Sequence, residues 1–247
     1  MSVDVSSERS LAQLLGLAVD LYRRYPLYFM LLAIGVVLPY DLAVLAAAHR
    51  GPFGGSDRGF ELFVPANAAH LLLIAPLISA LLARAVFVLS EGRTLDLQQI
   101  TIYGLRVLPT VIVTQVICYL GIGLATVFLI IPGILLGLRW CVVSPVVALE
   151  NEGSFGAMGR SGRLAAGHYW RIFRLTIMVE GMLVAVAFGV HALPLGGNSS
   201  VVMMVLEVIV QIAMACYVAL CLTVLYFDLW ARYKKIDGKH NLVGVAT

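Results

Sequence analysis

Six runs of apolar residues, each close to 20 residues or longer and separated by short polar stretches, take up most of this chain. A bilayer's hydrocarbon core is about 30 Å thick, and a helix rising about 1.5 Å per residue crosses it in roughly 20 residues. The pattern predicts an all-α fold, a polytopic membrane helical bundle of about six transmembrane helices. Residues 1–247 read as a single integral membrane domain, because six spans and their links leave no length for a separate soluble one.

The spans fall at 27–49, 63–90, 108–131, 134–150, 169–193 and 200–230. Pro39 interrupts the first, and the sixth exceeds one bilayer thickness, which implies tilt or projection into water. Outside the spans lie three amphipathic stretches, at 8–25, 95–106 and 154–168. In the first, Leu11, Leu14, Leu15, Ala18, Leu21 and Tyr22 recur at helical spacing with Asp20, Arg23 and Arg24 between them. That is the pattern of a helix lying in the membrane interface.

Pro26 marks a break, the Gly-rich stretch 50–58 is a loop, and Pro132-Gly133 is a turn dipeptide closing spans three and four into a tight hairpin. The tail after Asp237 is expected to be mobile. The chain therefore reads as three units, each an interfacial helix followed by a transmembrane hairpin.

Composition agrees, at 61% hydrophobic and 13% charged. The net charge of +3 is small and its carriers flank the spans, so a nucleic-acid surface is not expected. Of the 17 Lys and Arg, Arg50 and Arg58 lie on one side, Arg139 lies inside a span, and the rest gather on the other side. The positive-inside rule then assigns both termini and all three amphipathic helices to the cytoplasm. Tyr22, Tyr25, Tyr28, Tyr169, Trp170, Tyr226, Trp230 and Tyr233 cluster at those ends as headgroup anchors. The polar, mixed-charge stretch Met1 to Ser10 does not read as a signal peptide. Cys118, Cys141, Cys216 and Cys221 all sit in apolar segments and read as buried thiols.

Ionisable residues inside spans are the best candidates for chemistry, because each costs about 2.5–3.5 kcal/mol at mid-bilayer on insertion scales. Asp41, Arg139 and Glu207 fall at one depth by counting from their span ends, which predicts a buried Arg139–carboxylate cluster. Such a cluster either fixes helix register or meets a headgroup, ion or substrate, and both readings stay open. Glu180, near the middle of the fifth span, is either a proton-coupling acid or a helix–helix hydrogen-bonding group. His70 and His191 lack the carboxylate and spacing of a metal motif, so no metal and no cofactor are expected. Gly133 and Gly137 fit the small-xxx-small pattern of close helix contact. The sequon-like Asn198-Ser199-Ser200 is assigned no role. Phosphate-binding loops, nucleophile elbows and zinc-protease signatures are absent from the sequence.

The segment 131–173 contains an Ile-Pro-Gly-Ile turn, Arg139 six residues after Gly133, then Pro145, Glu150, an Arg-containing amphipathic helix and Tyr169-Trp170-Arg171. Together with Leu21-Tyr22-Arg23-Arg24-Tyr25, it resembles the glycerophosphoryl diester phosphodiesterase membrane domain and its YciC-like relatives. The resemblance implies a bacterial inner-membrane protein. Diesterase activity is not carried over, since the catalytic barrel of the fused relatives would need about 250 further residues. The leading expectation is a protein that handles a lipid or amphipathic small molecule, as a transporter or membrane-homeostasis factor, with Arg139, Asp41, Glu207 and Glu180 as its site. One alternative is a non-catalytic scaffold, including a homo-oligomer, whose basic helices recruit a partner or anionic lipid. Another is an intramembrane enzyme using Asp41, Glu180 or Glu207 as an acid on an isoprenoid or phospholipid.

Overall fold

Ser10 starts the first helix by a reciprocal cap. Its hydroxyl accepts from the Gln13 N–H at 3.3 Å, and Gln13 Oε1 accepts from the Ser10 N–H at 2.8 Å. This helix, α1 (Leu11–Arg24), buries Leu14, Ala18 and Leu21. The computed structural model describes residues 9–50, 70–191 and 201–244. Most of the expected Gly-rich loop, residues 63–69 of the second span, the end of the fifth at 192–193, and Asn198 fall outside them.

Pro26 opens α2 (Pro26–Arg50), where a proline's missing N–H has no partner to lose, and the helix continues through Pro39. A π-helical turn at His70–Ile74 leads into α3 (Ala75–Ser90). α3 is the most deeply buried of the spans and packs against α2 and three later helices of the bundle. Its alanines at 80, 83 and 85 let neighbouring backbones approach closely.

Asp96 caps the next helix by accepting from the N–H groups of Gln98 and Gln99. That helix, α4 (Leu97–Phe128), runs unbroken for 32 residues through Pro109. The separate amphipathic helix at 95–106 and span at 108–131 are thus one element. A single bond lost at Pro109 costs less than ending a helix beside lipid, where every freed N–H and C=O would need a partner.

The hairpin that follows turns at Leu129, whose φ of −157° and ψ of 130° are extended, and not at Pro132-Gly133. Pro132 is the third residue of α5 (Ile130–Trp140), in the first turn, where an N–H has no intrahelical acceptor. Gly133 presses on α4: a Cβ there would lie 2.9 Å from the Thr126 Cα.

The fourth span is a broken helix. α5 stops at Trp140 and α6 (Val143–Glu150) begins after a turn at Cys141–Val142. Pro145 explains the break, since its ring would clash with the carbonyl of Cys141, four residues earlier. Asn151, in the left-handed conformation at φ 51°, ends α6 and turns the chain into α7 (Ser154–Ala165).

α7 buries Ala157, Met158, Ser161, Gly162, Leu164 and Ala165 against α4, α5, α6 and the last helix. Gly167, at φ 79°, turns into α8 (Tyr169–His191). The chain ends in α9 (Val201–Gly244), 44 residues long and so about 66 Å end to end. α9 stays helical past Asp237, where a mobile tail was expected. Two of the three expected interfacial helices therefore exist as α1 and α7, and their apolar faces rest on protein: α1 on α9, and α7 within the bundle.

Six segments are long and apolar enough to cross a membrane: Pro26–Val44, Leu72–Ser90, Leu97–Phe128, Ile130–Glu150, Tyr169–Val190 and Val205–Lys235. The chain is a multi-pass membrane protein, helical throughout its described residues apart from turns.

Candidate functional site

α8 and α9 are fastened at the end where Arg171 meets Asp228, and they part further along to leave a groove between them. Its volume is about 680 Å³. α8 presents Glu180, Leu183, Ala187 and Val190 to it at helical spacing, and α9 presents Glu207, Gln211, Met214 and Val218. His70 and Ala75 close the back.

The two helices run antiparallel, so Glu180 at the start of one wall and Glu207 at the start of the other stand at opposite ends of the groove. Both carboxylate side chains are exposed, between aliphatic walls. Chemically the groove offers apolar length with an acidic group at each end, and the amide of Gln211 and the imidazole of His70 as further polar contacts.

Asp41 belongs to the same region. It lies within electrostatic reach of His70, and the Tyr40 ring sits 5.9 Å from the His70 ring. The Asp41 Oδ2 is buried with no hydrogen-bond partner among the described residues. The structure thus brings Glu180 and Glu207 to one groove, and places Asp41 beside it as the neighbour of His70.

Arg139 is elsewhere, and the predicted Arg139–carboxylate cluster does not form. No ion pair joins Arg139 to Asp41, Glu180 or Glu207 among the described residues. The break at Cys141–Val142 lets α7 fold back onto the end of α5, where Ser161 donates to the Arg139 carbonyl at 2.9 Å. The Arg139 side chain lies along Gly162, and a Cβ at that glycine would stand 2.6 Å from Arg139 Nε. The depth of Arg139 was counted from a turn at Pro132, whereas the chain turns at Leu129, and equal depth does not say which way a side chain faces.

Two further polar clusters occupy the basic end of the bundle. Asp228, fully buried on α9, accepts from Arg171 Nη2 at 3.0 Å, Arg232 Nε at 3.0 Å and the Arg9 N–H at 2.8 Å. Arg171 and Arg232 also donate to the Arg9 carbonyl, tying the start of the chain to its last helix. Glu150 accepts from Arg160 Nε and the Tyr226 hydroxyl, each at 2.8 Å, and the Arg160 guanidinium stacks on Tyr233 at 4.8 Å.

Sequence reasoning passed over Asp228. Its i,i+4 spacing to Arg232 at the end of an apolar run was the available signal. The four cysteines are free, and no group of three metal-ligating residues forms among the described residues. The His191 side chain lies outside them. No family model, no curated protein and no solved structure matches this chain, so its likeness to the phosphodiesterase membrane domain rests on the residues quoted for it.

Proposed function

We propose that this is a bacterial inner-membrane protein that holds a lipid or amphipathic small molecule in the groove between α8 and α9, as a transporter or membrane-homeostasis factor. The observation that carries the reading is the pair of carboxylates, Glu180 and Glu207, exposed on facing helices within apolar spans. An acid facing hydrocarbon is costly, whereas an acid lining an opening can bond to water or to a ligand's polar group. A volume of about 680 Å³ accommodates one small amphiphile, its chain along the aliphatic walls and its polar group at a carboxylate. Asp41 and His70 add polar partners beside the groove; Arg139 drops out of the site. The positive-inside rule orients the basic end, with both termini, toward the cytoplasm.

The test is mass spectrometry of small molecules that copurify with the full chain in mild detergent. Wild type is expected to carry a bound amphiphile that E180Q/E207Q retains about tenfold less, at unchanged thermal stability. Equal complements in both proteins would sink the reading. They would favour instead the scaffold alternative, which draws support from the exposed arginines of α1, Arg23 and Arg24.

A further inference from the structure

A second pocket lies at the basic end, away from the α8–α9 groove, where the end of α3 meets the start of α4. Its volume is about 610 Å³, and Arg84, Arg93, Gln99, Tyr103 and Arg106 line it together with Asp96. Arg84 is the one charged residue in the apolar span Leu72–Ser90. No carboxylate pairs with Arg84 or Arg106 among the described residues.

Arg84 is held in place by rings. Its guanidinium stacks 4.6 Å from the centre of Tyr103 and 5.5 Å from that of Phe87. The Tyr103 hydroxyl donates to the Ala148 carbonyl at 2.7 Å, which fixes the ring that fixes the arginine. Stacking on a ring face leaves the edge of a guanidinium fork, with its N–H donors, free to meet an oxyanion.

The acids nearby are committed. Asp96 caps α4 through Gln98 and Gln99, and Glu91 pairs with Arg93 at 2.7 Å. The lining therefore sets three guanidinium groups, Arg84, Arg93 and Arg106, against the single carboxylate of Asp96, and neither Arg84 nor Arg106 is ion-paired among the described residues. Arg84 stands six residues before Ser90, the last residue of α3, or about 9 Å along the axis, which is headgroup depth for a helix ending at the interface. Val88 and the exposed Ile102 add apolar surface to the same pocket, as a molecule with an acyl chain requires.

The geometry points to a binding site for a phosphate-bearing anion in this pocket, held by the Arg84 and Arg106 guanidinium groups. An anionic lipid headgroup and a phosphate free in solution share that chemistry. The site is independent of the α8–α9 groove, and its test does not depend on what that groove holds.

The experiment uses the full chain, stripped of lipid in detergent, with thermal unfolding followed as phosphatidylglycerol, phosphatidylcholine or inorganic phosphate is added. Phosphatidylglycerol is expected to raise Tm where phosphatidylcholine does not. The concentration needed should rise about tenfold in R84Q and in R106Q. R23Q/R24Q, which removes two positive charges from α1, should respond as wild type does. Stabilisation by inorganic phosphate to the same extent, lost in the same variants, supports the site and identifies its ligand as a soluble phosphate. Arg106 is exposed and lies outside the core, so R106Q tests the site even if R84Q does not fold. An unaltered phosphatidylglycerol response in R106Q, or an equal response of wild type to phosphatidylcholine, would overturn the proposal.

Discussion

Asp228 satisfies two guanidinium groups and a backbone N–H while wholly shielded from solvent. Removing the carboxylate strands Arg171 and Arg232 partly buried with no counter-charge, the circumstance in which breaking an ion pair costs most. Asp228→Ala is expected to lower stability by about 3–5 kcal/mol, read as thermal unfolding in detergent. Arg171→Met should cost less, because Arg232 remains on Asp228. A near-neutral Asp228→Ala would mean that water reaches the cluster. Half of this arrangement was legible, since Asp228 and Arg232 are one helical turn apart. The other half was not: Arg171 and Arg9 come from elsewhere in the chain, and no local spacing announces a partner 57 residues away. Asp41, Glu180 and Glu207 were found from sequence because an acid in an apolar run stands out. Arg84 is as conspicuous in its own run, but it was absorbed into the topology count; its stacking on Tyr103 is a tertiary fact.

Among the elements, α7 shows how a stretch that reads as interfacial becomes part of the protein. Its small residues, Ala157, Gly162 and Ala165, let it lie tight against the bundle, and Glu150 anchors it through Arg160 and, on α9, Tyr226. Glu150→Gln is expected to cost about 1–3 kcal/mol and to speed amide hydrogen exchange across 154–165 more than elsewhere. Uniform exchange would mean that packing alone holds the helix. The α4–α5 hairpin makes a second prediction. A Cβ at Gly133 meets the Thr126 backbone, which cannot swing aside, so Gly133→Ala should destabilise by about 1–3 kcal/mol. Gly123→Ala on α4, where nothing lies within 4 Å, should leave unfolding unchanged or slightly improved. Helix boundaries were harder to read than helix existence. Pro132 looked like a turn and proved to be a first-turn residue, whereas Pro145, deep in an apolar run, marks a real break one turn before it.

At the scale of the molecule, the number of spans was legible because lipid enforces it: each crossing needs its own apolar length. The arrangement was not, because apolar surface suits lipid and protein equally, so nothing in a run of Leu and Val says which face meets a neighbour. The expectation that α1 floats in the interface failed to foresee α9 for that reason. The α4–α5 hairpin carries a consequence for how the chain reaches its membrane at all. From Val107 to Leu138 it has no ionisable side chain apart from the Cys118 thiol and the Tyr119 phenol, and its turn at Leu129 is flanked by exposed Val127, Phe128, Ile130 and Ile131. Neither the turn nor either arm asks for a charge to be carried through hydrocarbon, and the backbone bonds of both arms close locally. During synthesis this hairpin can leave the translocation machinery sideways as a finished pair, by partition into lipid and without passage of a polar loop.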